Sequence, residues 1–190
     1  PAFMFSIIKS SPVCQEKVEP TEETVEVKEE PKVEPLKEKR WVCEDCMENE
    51  KIVLKFLQDR GITDKVSLSV IMGNIKQESK FHSNICEGGT RVPYNQCHRG
   101  GFGLIQWTTS KRYNGLGQFA RRYGGDPTDL NTQLRWMANE REWIKVEHIF
   151  KTPGLSVDRY MDAAYDWLRW GVHGERTTYS NQYLNRLVQV

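Results

Sequence analysis

The sequence predicts a helix-dominated α+β domain with a small β-hairpin or flap, preceded by an extended N-terminal arm. After residue 41, apolar residues recur at the i, i+3, i+4, i+7 spacing in segments that suit five or six helices. Residues 80–100 lack this period and contain paired glycines and a proline, which is typical of a hairpin or an irregular flap. Residues 15–40 are dominated by Glu, Lys, Val and Pro, a composition that cannot bury enough apolar surface to fold alone. We therefore expect the arm at 1–40 and one folded domain at 41–190.

The arm starts with a short apolar peptide, residues 1–8, and contains the tetrapeptide Lys-Val-Glu-Pro at 17–20 and again at 32–35. No basic residue precedes the apolar peptide and no convincing cleavage site follows it, so we do not expect a signal peptide. We interpret the arm as a tether that holds the domain to a partner through residues 1–14. The alternative is a tail without a role.

The first two helices of the domain are predicted to be antiparallel neighbours. Glu48–Arg60 has an apolar face, and Gly61 ends it. Asp64 is the expected N-cap of the second helix, which ends at Glu78. The short connection between them favours antiparallel packing. The apolar face of the first helix consists of Ile52, Val53, Phe56 and Leu57.

Glu78 continues the apolar stripe of the second helix, three residues after Ile75 and seven after Ile71. Burial disfavours the charged form of a carboxylic acid and raises its pKa. A raised pKa is what a general acid needs near neutral pH, so Glu78 is the leading catalytic candidate. The alternative is a half-exposed carboxylate paired with Lys80 or Arg91.

A second carboxylate and a glycine-rich segment follow this helix. Glu87 lies in the connection 84–89, and residues 99–107 combine three glycines with Gln106 and Trp107. Two carboxylates across a cleft, with an amide and an aromatic ring for a sugar, are typical of glycosidases. The sequence does not give the separation of the carboxylates, so retaining and inverting reactions both stay open.

Three segments resemble the phage tail lysozymes of the lysozyme-like superfamily. They are Ile71–Ser79, Gly101–Thr108 and Asp129–Leu134, and the resemblance covers residues 48–150. It implies a lysozyme-like fold and cleavage of the glycan strands of bacterial peptidoglycan, with Glu78 as the proton donor. It also implies a phage particle as the location of the protein.

The resemblance suggests roles for further residues. Glu87 has the family's usual spacing after Glu78, but the family more often has Asp there. Glu87 is expected to stabilise an oxocarbenium-like transition state or to position water; the alternative is a solvent-exposed side chain. Gln106 is expected to hydrogen-bond the N-acetyl group of a sugar or a catalytic water.

Three more residues near Gln106 are candidates for contact with the substrate. Trp107 either stacks on a sugar ring or belongs to the core, because a large aromatic beside Leu and Ile suits both places. Tyr113, with its neighbour Arg112, follows closely enough to line the same cleft. Gly103 would let the backbone approach the substrate.

Four cysteines are expected to converge, because Cys43 and Cys46 precede the first helix and Cys86 and Cys97 follow the second. A Cys-x-x-Cys pair with two more thiols suits a structural, non-catalytic zinc ion. Disulfides and free thiols are the alternatives, and a reducing cytoplasm would favour metal or thiols over disulfides. No cofactor is expected for catalysis.

The remaining helices are interpreted as scaffold. One begins at Thr109 or Ser110 and is ended by Gly124-Gly125; the next starts near 126–129 and extends past Ile144. Further helices are expected at 157–172 and 179–188. The aromatic residues of this part are typical of core, although four residues near its end are also candidates for the edge of a glycan groove. These four are Trp170, His173, Glu175 and Arg176.

The sequence favours a virion-associated muramidase that acts on peptidoglycan in the host periplasm and cell wall during infection. Partners would be tail, baseplate or other virion proteins, bound through residues 1–40. The net charge of +1 does not favour a nucleic-acid partner, and no stretch is long and apolar enough for a membrane span. Alternatives are a lytic transglycosylase, an endolysin, and a non-catalytic structural or wall-binding tail component.

Overall fold

The computed structural model describes residues 39–190, and the predictions for residues 1–38 of the arm lie outside these residues. The described part confirms a helix-dominated α+β fold, with seven helices and one two-stranded sheet. None of its helices has the length and apolar character needed to cross a membrane. The helices are α1 (Glu48–Asp59), α2 (Lys65–Ser79), α3 (Ser110–Tyr123), α4 (Leu130–Asn139), α5 (Arg141–Lys151), α6 (Val157–Leu168) and α7 (Arg176–Arg186). The strands are β1 (Trp41–Val42) and β2 (Val188–Gln189).

Helix α2 is the centre of the fold, and most of its residues are buried. The predicted N-cap is confirmed, since the carboxylate of Asp64 accepts a hydrogen bond from Ser67 N at 2.9 Å. Helix α7 packs closely on α2 at Gly73, where a Cβ atom would overlap the backbone and hydroxyl of Ser180. The absence of a side chain at Gly73 therefore sets how near α7 lies to α2.

The single helix predicted from 126–129 past Ile144 is wrong. The chain leaves helical geometry at Glu140 (φ −76°, ψ 147°), which separates α4 from α5. The Glu140 side chain is buried and hydrogen-bonded to other elements, and the change in direction leaves Ile144 58% exposed. Helix α6 also ends earlier than predicted, at Leu168, and α7 begins earlier, at Arg176.

The flap between α2 and α3 is held by isolated β-bridges, a short 3₁₀ turn at Tyr94–Gln96, and one buried amide. Gln133 is fully buried on α4. Its Oε1 accepts a hydrogen bond from Leu104 N at 2.8 Å, and its Nε2 donates to Ser83 O at 2.6 Å and Pro127 O at 2.8 Å. Gln133 thereby joins both ends of the flap to α4.

The two-stranded sheet was not predicted from the sequence. Strands β1 and β2 pair in antiparallel register, with Trp41 opposite Gln189. Backbone hydrogen bonds continue the pairing between Arg40 and Val190 in both directions, at 3.1 and 2.9 Å. The two ends of the domain therefore lie side by side.

Candidate active site

A cleft of about 560 Å³ lies between the end of α2, the flap, the start of α3 and the loop from α6 to α7. Charged groups of both signs face it. The polar and aromatic side chains that line it include Glu78, Glu87, Gln106, Arg112, Trp170 and Arg176. A cleft of this size with a few converging polar groups is suited to binding part of a polymer.

Glu78 is the penultimate residue of α2, and its side chain is 14% exposed. The carboxylate pairs with Arg176 from the start of α7, rather than with Lys80 or Arg91. Burial raises the pKa of Glu78 above its ordinary value, although the positive charges of Arg176 and Arg112 act in the opposite direction. The predicted location at a largely buried helix end is confirmed.

Arg176 is held in place on several sides, and its side chain is 4% exposed. Its Nη1 donates hydrogen bonds to Val172 O at 3.1 Å and His173 O at 2.7 Å. Its guanidinium lies 4.4 Å from the ring centroid of Trp170. Gln77 fixes the same loop, because its Oε1 accepts a hydrogen bond from Glu175 N at 2.9 Å. Arg176 is therefore a rigid partner for Glu78.

Glu87 lies on the flap and lines the same cleft. Its Oε2 accepts a hydrogen bond from Gly101 N at 2.9 Å, while its backbone N donates to Gly101 O at 2.8 Å. Gly100 (φ +79°) packs so closely on the Glu87 side chain that a Cβ atom there would overlap it. The structure therefore brings the two predicted carboxylates to one cleft, and Glu87 is the exposed member.

Gln106 also lines the cleft, from a left-handed backbone conformation (φ +53°). Its Nε2 donates hydrogen bonds to Gly103 O at 3.0 Å and Ile85 O at 3.3 Å. Both donors are turned to the flap backbone, so the amide oxygen is the group left to accept a hydrogen bond from a ligand or water.

Of the three predicted substrate contacts, Trp107 takes the core position that the sequence also allowed, and Tyr113 and Gly103 lie away from the cleft. Trp107 is fully buried, and none of the three lines the cleft. Tyr113 stacks on Tyr94, with ring centroids 4.3 Å apart. Gly103 (φ +74°) packs against the Gln133 amide, where a Cβ atom would lie 2.6 Å from Oε1. All three organise the wall behind the cleft.

A second carboxylate–guanidinium pair, not predicted from the sequence, lies beside the cleft, and only its arginine, Arg112, lines it. Glu140 is 1% exposed, and Arg112 donates to it twice, from Nε at 3.0 Å and from Nη2 at 2.6 Å. The indole N–H groups of Trp107 and Trp167 also donate to Glu140, at 3.1 and 3.3 Å. Burial raises the pKa of Glu140, while these donors act in the opposite direction. A polar residue between two apolar helical patterns is too weak a signal to identify such a site.

The predicted four-cysteine zinc site is wrong. The structure joins Cys43 to Cys46 and Cys86 to Cys97 as disulfides, one of the alternatives, and a four-cysteine zinc site would need these sulfurs as free thiolates. Within residues 39–190, the group of potential metal-ligand side chains around Cys43 and Cys46 includes Asp45 but neither of the other cysteines. The two pairs therefore do not converge. The Cys86–Cys97 bridge instead closes the flap next to Glu87.

Comparison with known proteins gives two matches. Residues 48–186 match the family described as phage tail lysozyme. Morphogenesis protein 1 of Bacillus phage B103 is 29% identical over 109 residues, which cover 53% of this chain and 27% of that protein. The chain therefore spans about a quarter of the length of this curated relative. No solved structure shows a significant match.

Proposed function

Because the chain belongs to the phage tail lysozyme family, we propose that it is a muramidase that cleaves the glycan strands of bacterial peptidoglycan. The observation that carries the proposal is the largely buried Glu78, whose raised pKa and position in the cleft suit a general acid. Glu87 supplies a second carboxylate that lines the same cleft.

In the proposed reaction, protonated Glu78 donates its proton to the glycosidic oxygen that follows N-acetylmuramic acid. The carboxylate that forms is stabilised by Arg176, which is already fixed beside it. Glu87 then stabilises the developing positive charge on the sugar or orients the attacking water. Gln106 presents its amide oxygen to the N-acetyl group or to that water. Trp170 lines the cleft and supplies the ring for stacking on a sugar, one of the two roles considered for Trp107.

A lytic transglycosylase is the second candidate for the reaction. In that reaction Glu78 donates the same proton, and the 6-hydroxyl of the muramyl residue replaces water as the nucleophile. The observation in its favour concerns Glu87, the other carboxylate that lines the cleft. Glu87 is exposed and hydrogen-bonded to the flap backbone, so within residues 39–190 Glu78 is the one largely buried carboxylate of the cleft lining.

The biological setting is part of the proposal. We place the protein in the virion, attached to tail, baseplate or other virion proteins through residues 1–40, and acting on the host wall during entry. The similarity to a phage morphogenesis protein supports this placement over an endolysin released at lysis. Deleting residues 1–40 should leave wall cleavage intact and abolish incorporation into particles; normal incorporation of the truncated protein would contradict the tether.

The decisive experiment is muropeptide analysis of purified peptidoglycan digested by wild type and by Glu78→Gln. New reducing muramic ends from wild type alone would support a muramidase, and anhydro-muramic ends a transglycosylase. We expect Glu78→Gln to lower cleavage by about 10²- to 10⁴-fold, the usual contribution of a general acid. Equal activity of both proteins would exclude Glu78, and inactivity of both would favour a structural or wall-binding component.

Glu147→Gln is the matched control. Glu147 is 15% exposed and pairs with Arg60 at 2.6 Å, so it resembles Glu78 in burial and partner, but it does not line the cleft. Retained cleavage in Glu147→Gln would separate the loss of an acid from the loss of a buried ion pair.

A further inference from the structure

The Arg112–Glu140 pair presents one edge of a guanidinium to the cleft. Arg112 donates to Glu140 from Nε and Nη2, which form one edge of its planar group. Nη1 makes no hydrogen bond within residues 39–190, yet it is not among the buried side-chain atoms of this part that lack a partner. Since Arg112 lines the cleft and its side chain is 12% exposed, we infer that Nη1 is the donor left for a ligand in the cleft.

The orientation of Arg112 is set from both ends of its side chain. Its backbone N donates to the hydroxyl of Thr109, the N-cap of α3, which places Arg112 on the first turn of that helix. At the other end, Glu140 has donors on both of its oxygens and is 1% exposed. A buried pair of this kind contributes little net stability, but it fixes a guanidinium in one direction.

Arg112 and the proposed acid, Glu78, line the same cleft. Arg112 lies on the first turn of α3 and Glu78 at the end of α2, and the cleft lies between these two helix ends. A ligand group held by Arg112 therefore belongs to a sugar next to the bond that Glu78 protonates. In the proposed reaction, one of these sugars is a muramyl residue.

We propose that Arg112 binds an oxygen acceptor of the lactyl substituent on this muramyl residue, and so determines the preference of the cleft for muramyl over N-acetylglucosaminyl residues. The lactyl group is the feature that distinguishes the two sugars. Its oxygen is a free carboxylate in peptide-free strands and an amide carbonyl in peptide-bearing strands, and a guanidinium can donate to both. This inference rests on the proposed muramidase function.

The test measures binding to the Glu78→Gln protein, which keeps the cleft but lacks the acid. Three oligosaccharides of equal length serve as probes: peptide-free muramyl strands, peptide-bearing muramyl strands, and chito-oligosaccharides without lactyl groups. Isothermal titration calorimetry gives the three dissociation constants. We expect both muramyl probes to bind more tightly than the chito-oligosaccharide.

Adding Arg112→Lys to this background keeps a positive charge for Glu140 but removes the planar fork. We expect the preference for muramyl over chito-oligosaccharide to fall about tenfold, as for loss of a hydrogen bond between charged groups. If the preference falls more for peptide-free strands, the free lactyl carboxylate is the group that Arg112 binds. If it falls equally for both muramyl probes, the group is the lactyl carbonyl oxygen. Arg60→Lys is the matched control, since Nε and Nη2 of Arg60 both contact the Glu147 carboxylate, away from the cleft.

An unchanged preference in Arg112→Lys, or an equal loss of affinity for all three probes, would overturn the inference while leaving the muramidase proposal in place. If the Glu78→Gln protein binds none of the probes, the proposed function itself fails. Glu140→Gln provides a second variant, in which Arg112 keeps its own donors but loses its charged anchor. It should lower the preference by less than Arg112→Lys does.

Discussion

The two carboxylate–guanidinium pairs of the cleft are built from the same groups in opposite orientation. In the first pair Glu78 is 14% exposed and Arg176 is 4% exposed. In the second pair Arg112 is 12% exposed and Glu140 is 1% exposed. In the first pair the carboxyl group is the more exposed member and the guanidinium is buried behind it. In the second pair the guanidinium is the more exposed member and the carboxylate is buried behind it.

This difference teaches that the buried member of each pair decides what the exposed member can do. Arg176 acts to lower the pKa of Glu78 and fixes its position, so Glu78 is placed to transfer a proton. Glu140 occupies one edge of Arg112, so the other edge is directed to a ligand. We expect the first pair to govern the reaction and the second to govern binding and stability.

The largest expected effect on stability comes from breaking the second pair. Glu140→Gln should lower the free energy of unfolding by about 3–5 kcal/mol, because it leaves a largely buried guanidinium without its counter-charge. Chemical denaturation measures the change. The double variant Arg112→Met/Glu140→Leu should recover much of the loss, since an apolar pair leaves no unpaired charge. A single variant as stable as wild type would show that this pair is not an anchor.

A smaller effect is expected from separating the helices that hold the first pair. Gly73→Ala should lower the free energy of unfolding by about 1–3 kcal/mol, because the new methyl group overlaps Ser180 on α7. Cleavage should fall as well, since Arg176 belongs to the same helix. Gly171→Ala is the control for stability alone, because no atom lies within 4 Å of the Cβ position there, whereas the residue itself lines the cleft. Equal stability of the two variants would mean that α7 adjusts freely.

The pH dependence of cleavage distinguishes the two arginines. The acid form of Glu78 is present below its pKa and is lost as the pH rises through it, so kcat/KM should fall on the alkaline side. Arg176→Gln removes the largest influence that lowers the pKa of Glu78, so this alkaline limb should move to higher pH. Arg112→Gln should move it in the same direction by less. A shift to lower pH in Arg176→Gln would contradict the proposed acid.

The smallest effect is expected at a pair outside the cleft. Glu147→Gln should change the free energy of unfolding by about 1 kcal/mol or less, because Arg60 is 31% exposed and water can replace its partner. Thermal and chemical denaturation beside Glu140→Gln give the comparison. A loss as large as that of Glu140→Gln would show that burial does not separate the two pairs.

Local patterns in the sequence predicted individual residues of the site but not their partners. The apolar stripe of α2 placed Glu78 at a buried helix end, and the caps at Asp64 and Thr109 were recognisable from residue type. Arg176 lies 98 residues after Glu78, so its pairing depends on the packing of α7 on α2, which has no local signal. The role of Glu140 was missed for the same reason.

The cysteines and Trp107 show a second limit of sequence patterns. Spacing allowed zinc, disulfides or free thiols, and only the tertiary structure separates Cys43–Cys46 from Cys86–Cys97. Residue type allowed Trp107 to lie in the core or to stack on a sugar. The core position depends on Glu140, which accepts a hydrogen bond from the indole N–H. Both questions concern contacts between distant parts of the chain.

The pairing of β1 with β2 has a consequence for how this domain can be connected to other polypeptides. Residues 40 and 190 are hydrogen-bonded neighbours, and the cleft residues belong to other parts of the domain. Domains with adjacent ends generally accept insertion into a host protein and circular permutation. A permutant that joins residue 190 to residue 40 and opens the exposed loop at Gly154 should keep both guanidinium pairs. We therefore expect residues 40–190 to fold when they are inserted into another protein.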